Sequence, residues 1–153
     1  MANSLVLGCQ YHLGDNPGLF QDATFVGYIL ALPLAVTLDT EGQADQAVVQ
    51  METHDLETWD PDNWLGHPVR LTGQGETVEI GRLKDPDDRN GRAETFRLNV
   101  ATSELGRLLG GDRGSIVLTV EVEKQEAKPG LSDDFVLTRL EIAGASARLG
   151  VQA

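Results

Sequence analysis

ATFVGYILALPLAVTL (23–38) is the longest apolar run in the chain, bounded by Asp22 and Asp39. At sixteen residues it falls short of the roughly 20 that a membrane-spanning helix needs. Gly27 and Pro33 disfavour a helix of any kind. The decisive feature is the period. Val26, Tyr28, Leu30, Leu32, Leu34, Val36 and Leu38 take every second position, which is the side-chain alternation of a β-strand. Phe25, Ile29, Ala31 and Ala35 occupy the opposite face, so the run is expected to be buried on both sides or covered by a neighbour. Pro33 has no amide hydrogen to give to a ladder. That predicts a bend, a bulge or an edge position, with two strands meeting near Ala31–Pro33.

The same test finds further strands on either side. Leu5, Leu7, Cys9, Tyr11 and Leu13 alternate, and Ala47, Val49 and Met51 alternate in a strand expected to be more exposed. Val69 and Leu71, then Val78 and Ile80, mark two short strands. Phe96, Leu98 and Val100 share one face, and Ile116, Leu118, Val120 and Val122 share another. Phe135 to Ile142 is apolar on both faces except at Thr138, Arg139 and Glu141, and Ala147, Leu149 and Val151 suggest a last strand. Asn90-Gly91 is a type I′ turn signal; it predicts a hairpin joining Val78–Leu83 to Glu94–Val100. One helix is expected near 103–109, capped by Thr102 or Ser103, with Leu105, Leu108 and Leu109 on one face and a stop at Gly110-Gly111. About eight strands with a single short helix predict an all-β fold. The expected architecture is an antiparallel sandwich of jelly-roll or Greek-key type, with a small barrel as the alternative and one domain over 1–153.

Charge is distributed unevenly along the chain. The net charge is −12, yet the first basic side chain is Arg70, after ten carboxylates. So acidic a chain, with its bases interleaved among acids, argues against nucleic acid and against anionic membranes. Cys9 is the lone cysteine and has no internal disulfide partner. With no positively charged n-region preceding an apolar run near Met1, it predicts a cytoplasmic location, a virion or secreted assembly being the alternative.

The most unusual local composition is THDLETWDPDNWLGHP (53–68), which holds both tryptophans of the chain among carboxylates. Trp59, Asp60, Asp62, Asn63 and Trp64 are the candidate binding residues. Tryptophan is enriched at protein contacts, and an aromatic ring beside carboxylates and amides also suits sugar stacking. The plain alternative is an acidic turn whose rings plug the core. KDPDDRNGRAE (84–94) offers Asp85, Asp87 and Asp88 as weak metal candidates. It departs from the calcium-loop pattern in the position of its glycine and in the arginine Arg89, so a solvated turn is favoured. His12, His54 and His67 have no metal-site spacing, and His67, before Pro68, is expected in a turn. Cys9 and His12 form a C-x-x-H pair whose members point to opposite faces of a strand.

There is no nucleophile elbow, and LLGGDRGS (108–115) lacks the ending of a phosphate loop. No cofactor is implied. The sequence thus predicts a non-enzymatic structural or protein-interaction module, a subunit of a larger assembly. Its contact surface is a localised acidic, tryptophan-bearing rim. The complement is a basic patch on a protein partner, or self-association through residues 82–113 of another copy. The alternative is a carbohydrate-binding sandwich module stabilised by calcium.

Overall fold

The computed structural model describes residues 10–15, 23–38, 45–54, 56, 65–84, 93–123, 134–143 and 145–149. Among them the order is β1 (Tyr11–Leu13), β2 (Thr24–Gly27), β3 (Ile29–Leu38), β4 (Gln46–His54), β5 (His67–Gly73), β6 (Glu76–Leu83), β7 (Ala93–Ala101), α1 (Thr102–Leu109), β8 (Arg113–Glu121), β9 (Phe135–Ala143) and β10 (Ala145–Leu149). The strands form two five-stranded sheets, β2-β1-β9-β4-β7 and β10-β3-β8-β5-β6. All neighbours run antiparallel except β1 and β2, which are parallel. The sheets stack as a sandwich around one apolar cluster and do not close into a barrel. No described helix is long and apolar enough to cross a membrane.

The run 23–38 does make two strands, but the break falls at Gly27-Tyr28 rather than at Ala31–Pro33. Gly27 has φ +83°, a left-handed conformation that a side chain disfavours. There the chain leaves one sheet and joins the other. Pro33 lies inside β3, opposite Val117 of β8. On the other side of β3 the described pairing with β10 ends at Leu34, so among the described residues Pro33 has a ladder partner on one side only. Leu30, Leu32, Leu34 and Val36 belong to the core. The opposite face is open: Ile29 is 54% exposed and Ala31 is exposed, while Pro33 and Ala35 are half-buried. The expectation of burial on both sides therefore fails for this face.

Three other expectations are corrected. First, β6 and β7 do not form a hairpin. They are edge strands of opposite sheets, so the segment between them is a crossover, and Asn90-Gly91 lies outside the described residues. The left-handed turn is instead at Gln74-Gly75, with φ of 51° and 75°, joining β5 to β6; both central residues at positive φ is what a type I′ hairpin requires. Second, β4 is not an exposed strand. It lies between β9 and β7, and Ala47, Val49 and Met51 are buried. Third, the residue at the helix N-cap is Ala101, which makes no side-chain cap. Thr102 instead gives both its amide and its hydroxyl to the Asp45 carbonyl, at 2.9 and 3.1 Å, tying α1 to the start of β4. The helix stops as expected at Gly110, with Gly110 and Gly111 amides bonded back to Gly106. Leu105, Leu108 and Leu109 are buried against the core.

The broken alternation of β9 also has a cause. The pairing register with β4 shifts by one residue, so that Thr138 has no partner in the β4 ladder. Its hydroxyl donates to the carbonyl and the carboxylate of Glu52, both at 3.1 Å. A bulge of this kind restores the inward face, leaving Leu137 and Leu140 both buried.

Candidate functional site at the loop-bearing end

The register places the ends of several strands together. His54 of β4 pairs with Ala93 of β7 and with Val136 of β9. His67 of β5 pairs with Leu83 of β6, and Ile29 of β3 with Glu121 of β8. The connections β4–β5, β6–β7 and β8–β9 therefore all leave and return at one end of the sandwich. Residues 55–66, 84–92 and 122–134 make these connections. They contain eleven of the 24 acidic residues and five of the 12 basic ones, so under a quarter of the chain holds half of its net charge. The acidic bias is at strand ends, and at one end above all.

The floor of this end is built from side chains that sequence reasoning left in turns or set aside. His67 is the first residue of β5, not a turn residue, and it is buried. Its Nδ1 accepts the Glu123 amide hydrogen at 2.9 Å, which leaves its own proton on Nε2. Its ring stacks on Phe135 of the other sheet, with centroids 4.8 Å apart and planes at 23°. Burial pushes the imidazole from its ordinary 6.5 down to about 3, against the opposing pull of the Glu123 carboxylate. A ring held neutral and already committed to a main-chain amide acts as a bolt between the sheets rather than as a general base near pH 7. His12 is also buried, and its Nε2 lies 2.7 Å from Asp134 Oδ1, joining β1 to the chain entering β9. Its ring meets Phe25 edge-on at 5.0 Å.

The three histidines are not gathered around a point. His12 and His54 sit on either side of Val136 in one row of the sheet, two strand spacings or roughly 10 Å apart. His67 belongs to the other sheet. Among the described residues no group of three His, Cys, Asp or Glu side chains is placed to hold a metal. Cys9, the candidates Asp85, Asp87 and Asp88, and the set Trp59, Asp60, Asp62, Asn63 and Trp64 lie outside the described residues. The two flanks of the tryptophan segment are described: His54 ends β4, and Leu65 and Gly66 lead into β5.

Above the floor, the large apolar side chains that the fold leaves exposed are Phe25, Tyr28, Ile29 and Leu65, at 39, 47, 54 and 71%. All belong to the loop-bearing end. The Tyr28 carbonyl accepts from the Val122 amide at 2.7 Å, and Ile29 faces Glu121 across the ladder. On the far side of the same β8 tail, Arg82 donates to the Gly66 carbonyl at 3.1 Å and to Glu123 at 2.9 Å. Tyr28-Ile29 and Leu65-Gly66 thus flank Glu121–Glu123 from its two sides. Arg70 and Arg82 bind Glu121, Glu79 and Glu123 in an ion network along the neighbouring outer face. Phe25 and Leu65 do not stand out as contacts from sequence, whereas Tyr28 and Ile29 belong to the stretch Val26–Leu38, whose apolar surface exceeds what one small domain is expected to cover.

No protein-family model matches the chain, and no curated protein matches it in sequence.

Proposed function

We propose that this protein is a non-enzymatic structural or interaction module that joins a larger assembly through its loop-bearing end. The contact surface is the segment carrying Trp59, Asp60, Asp62, Asn63 and Trp64 together with the apolar residues beside its flanks. The observation that supports it most is the placement of the exposed apolar side chains. A fold that buries Leu30, Leu32, Leu34 and Val36 almost completely leaves Tyr28, Ile29 and Leu65 in water at the end where β4, β6 and β8 finish. Clustered exposed apolar residues rimmed by charge are the usual mark of a protein contact.

Affinity capture from the native source at low and moderate salt tests the reading. The unaltered chain is expected to retain a discrete protein that Trp59→Ala/Trp64→Ala loses. Asp60→Asn/Asp62→Asn leaves both rings in place and separates a lost contact from a lost fold. Equal recovery by all three baits, or none by the unaltered chain, removes the proposal.

A further inference from the structure

The ladder between β5 and β8 runs from Thr72 opposite Val117 to Val69 opposite Val120. The next residue along β5 is Pro68, which has no amide hydrogen to give. Past that point the Glu123 amide is taken by a side chain, His67 Nδ1, at 2.9 Å. A main-chain carbonyl in that place accepts at any pH, whereas an imidazole nitrogen accepts only while it is unprotonated. A proton on Nδ1 sets N–H against N–H at the corner where β5 and β8 leave their ladder. The same ring stacks across the sandwich on Phe135, with centroids 4.8 Å apart. One proton therefore acts on the corner and on the contact between the sheets together. We infer that His67 is an acid-sensitive latch, whose protonation opens the seam between the sheets at this end while the helix-bearing end stays folded.

The opening is local because the latch sits at strand ends. His67 begins β5, its ladder partner Leu83 ends β6, Glu123 lies just past β8, and Phe135 begins β9. Parting them frays four ends and leaves Leu105, Leu108 and Leu109 packed on the core at the other end. The charged groups around the ring do not prepare a place for an imidazolium. From β6, Arg82 donates to the carbonyl of Gly66, the residue before His67, and Lys84 follows Leu83. On β8, Glu121 is held by Arg70 of β5, and past its end Glu123 is held by Arg82; Glu79 of β6 binds both arginines. Beside Phe135, Asp134 is held by His12 of β1. Burial outweighs the pull of the Glu123 carboxylate and keeps the folded ring neutral to about pH 3, against an ordinary 6.5. Once opened into water the ring regains its ordinary affinity, so acid favours the open form, about tenfold for each pH unit below roughly 6.

Amide hydrogen exchange on the full chain, read by NMR from pH 7 to about 4.5 and corrected for the intrinsic rate, tests this. The Glu123 amide is expected to lose protection about tenfold per pH unit between about 6 and 4.5. Its exchange is expected to ignore low urea, since a small opening exposes little surface, while the Leu109 amide in α1 exchanges more slowly and responds to urea. His67→Asn and His67→Gln each offer an amide oxygen to the Glu123 amide and do not titrate; both are expected to abolish the pH dependence. The His67 ring resonances, which need no variant, are expected to stay those of a neutral imidazole in the folded protein throughout. Protection at Glu123 that is constant with pH, or lost equally in both variants, overturns the inference. So does exchange at Glu123 with the rate and urea response of Leu109, which makes the opening global. A ring that takes up its proton while the Glu123 amide stays protected also overturns it, and that titration decides alone if neither variant folds.

Discussion

The two ends of the sandwich solve the same problem differently. At the helix-bearing end, α1 places Leu105, Leu108 and Leu109 over the open core, and β5 turns into β6 through two residues, Gln74 and Gly75. Apolar surface there is consumed inside the fold. At the loop-bearing end the sheets are bolted together by the His67–Phe135 stack and the His12–Asp134 pair. Above that layer the chain leaves Tyr28, Ile29 and Leu65 exposed. A closed end contributes to stability through burial, whereas an end whose described apolar side chains lie in water is, on the proposed reading, a surface for contact. The comparison predicts where substitutions hurt the fold and where they hurt only binding.

The floor of the loop-bearing end carries the largest expected effect. Folded His67 stays neutral down to about pH 3, whereas in the unfolded chain it takes up a proton below about 6.5. Its folded value is depressed, so the stability it supports is fully present above 6.5 and is lost as the pH falls from 6.5 toward 3. The full loss is up to about 5 kcal/mol, since a tenfold change in proton affinity is worth roughly 1.4 kcal/mol. Urea melts at several pH values, on the protein and on His67→Gln, measure it. The glutamine keeps an acceptor for the Glu123 amide but does not titrate. Equal pH slopes between about 6.5 and 4.5 for the two proteins would show that His67 is not the bolt.

At the closed end, Leu108→Ala is expected to cost about 2–5 kcal/mol, as a buried leucine leaves a cavity that the surrounding sheet only partly fills. Leu108 has no exposed surface. A thermal or urea melt decides it, and a loss below about 1 kcal/mol would mean that the helix is a lid the core does not need.

Thr53 gives a smaller effect of opposite sign. It is fully buried on β4, and its hydroxyl has no hydrogen-bond partner among the described residues. Thr53→Val keeps the shape and removes an unsatisfied polar atom, so it is expected to stabilise by about 1 kcal/mol in a urea melt. Destabilisation would reveal that the hydroxyl is satisfied in solution.

Period-two patterns make the strands and their inward faces legible from sequence, and the leucine spacing makes the helix legible. Which sheet each strand joins is not legible, because alternation records a face and not a neighbour. Asn90-Gly91 carries the stronger local turn signal, yet the hairpin forms at Gln74-Gly75, where β5 and β6 share a sheet. Pro33 suggests the break and Gly27 supplies it, because the pairing across β3 that decides between them comes from β8 and β10, far along the chain. His67 looks like a turn residue because of Pro68. Its role depends on Glu123 and Phe135, which only the topology brings beside it. The proposed contact end is partly legible: the acidic tryptophan segment stands out in composition, and Ile29 is visible as part of a second apolar face with no assigned cover.

The sharpest form of the comparison is the variant expected to change stability least. Ile29 and Leu65 lie more than half in water, so each already lacks most of the burial that makes a core leucine costly to remove. Ile29→Ser/Leu65→Ser is expected to melt within about 0.5 kcal/mol of the unaltered protein, as surface substitutions away from special features do. If the pair instead costs about 2 kcal/mol or more, these side chains are packed in solution. The loop-bearing end would then be a second closed end, with its own connections serving as the cover. A variant that keeps its fold and loses its partner separates the two ends by function, because it shows exposed apolar side chains that serve binding without stabilising the fold.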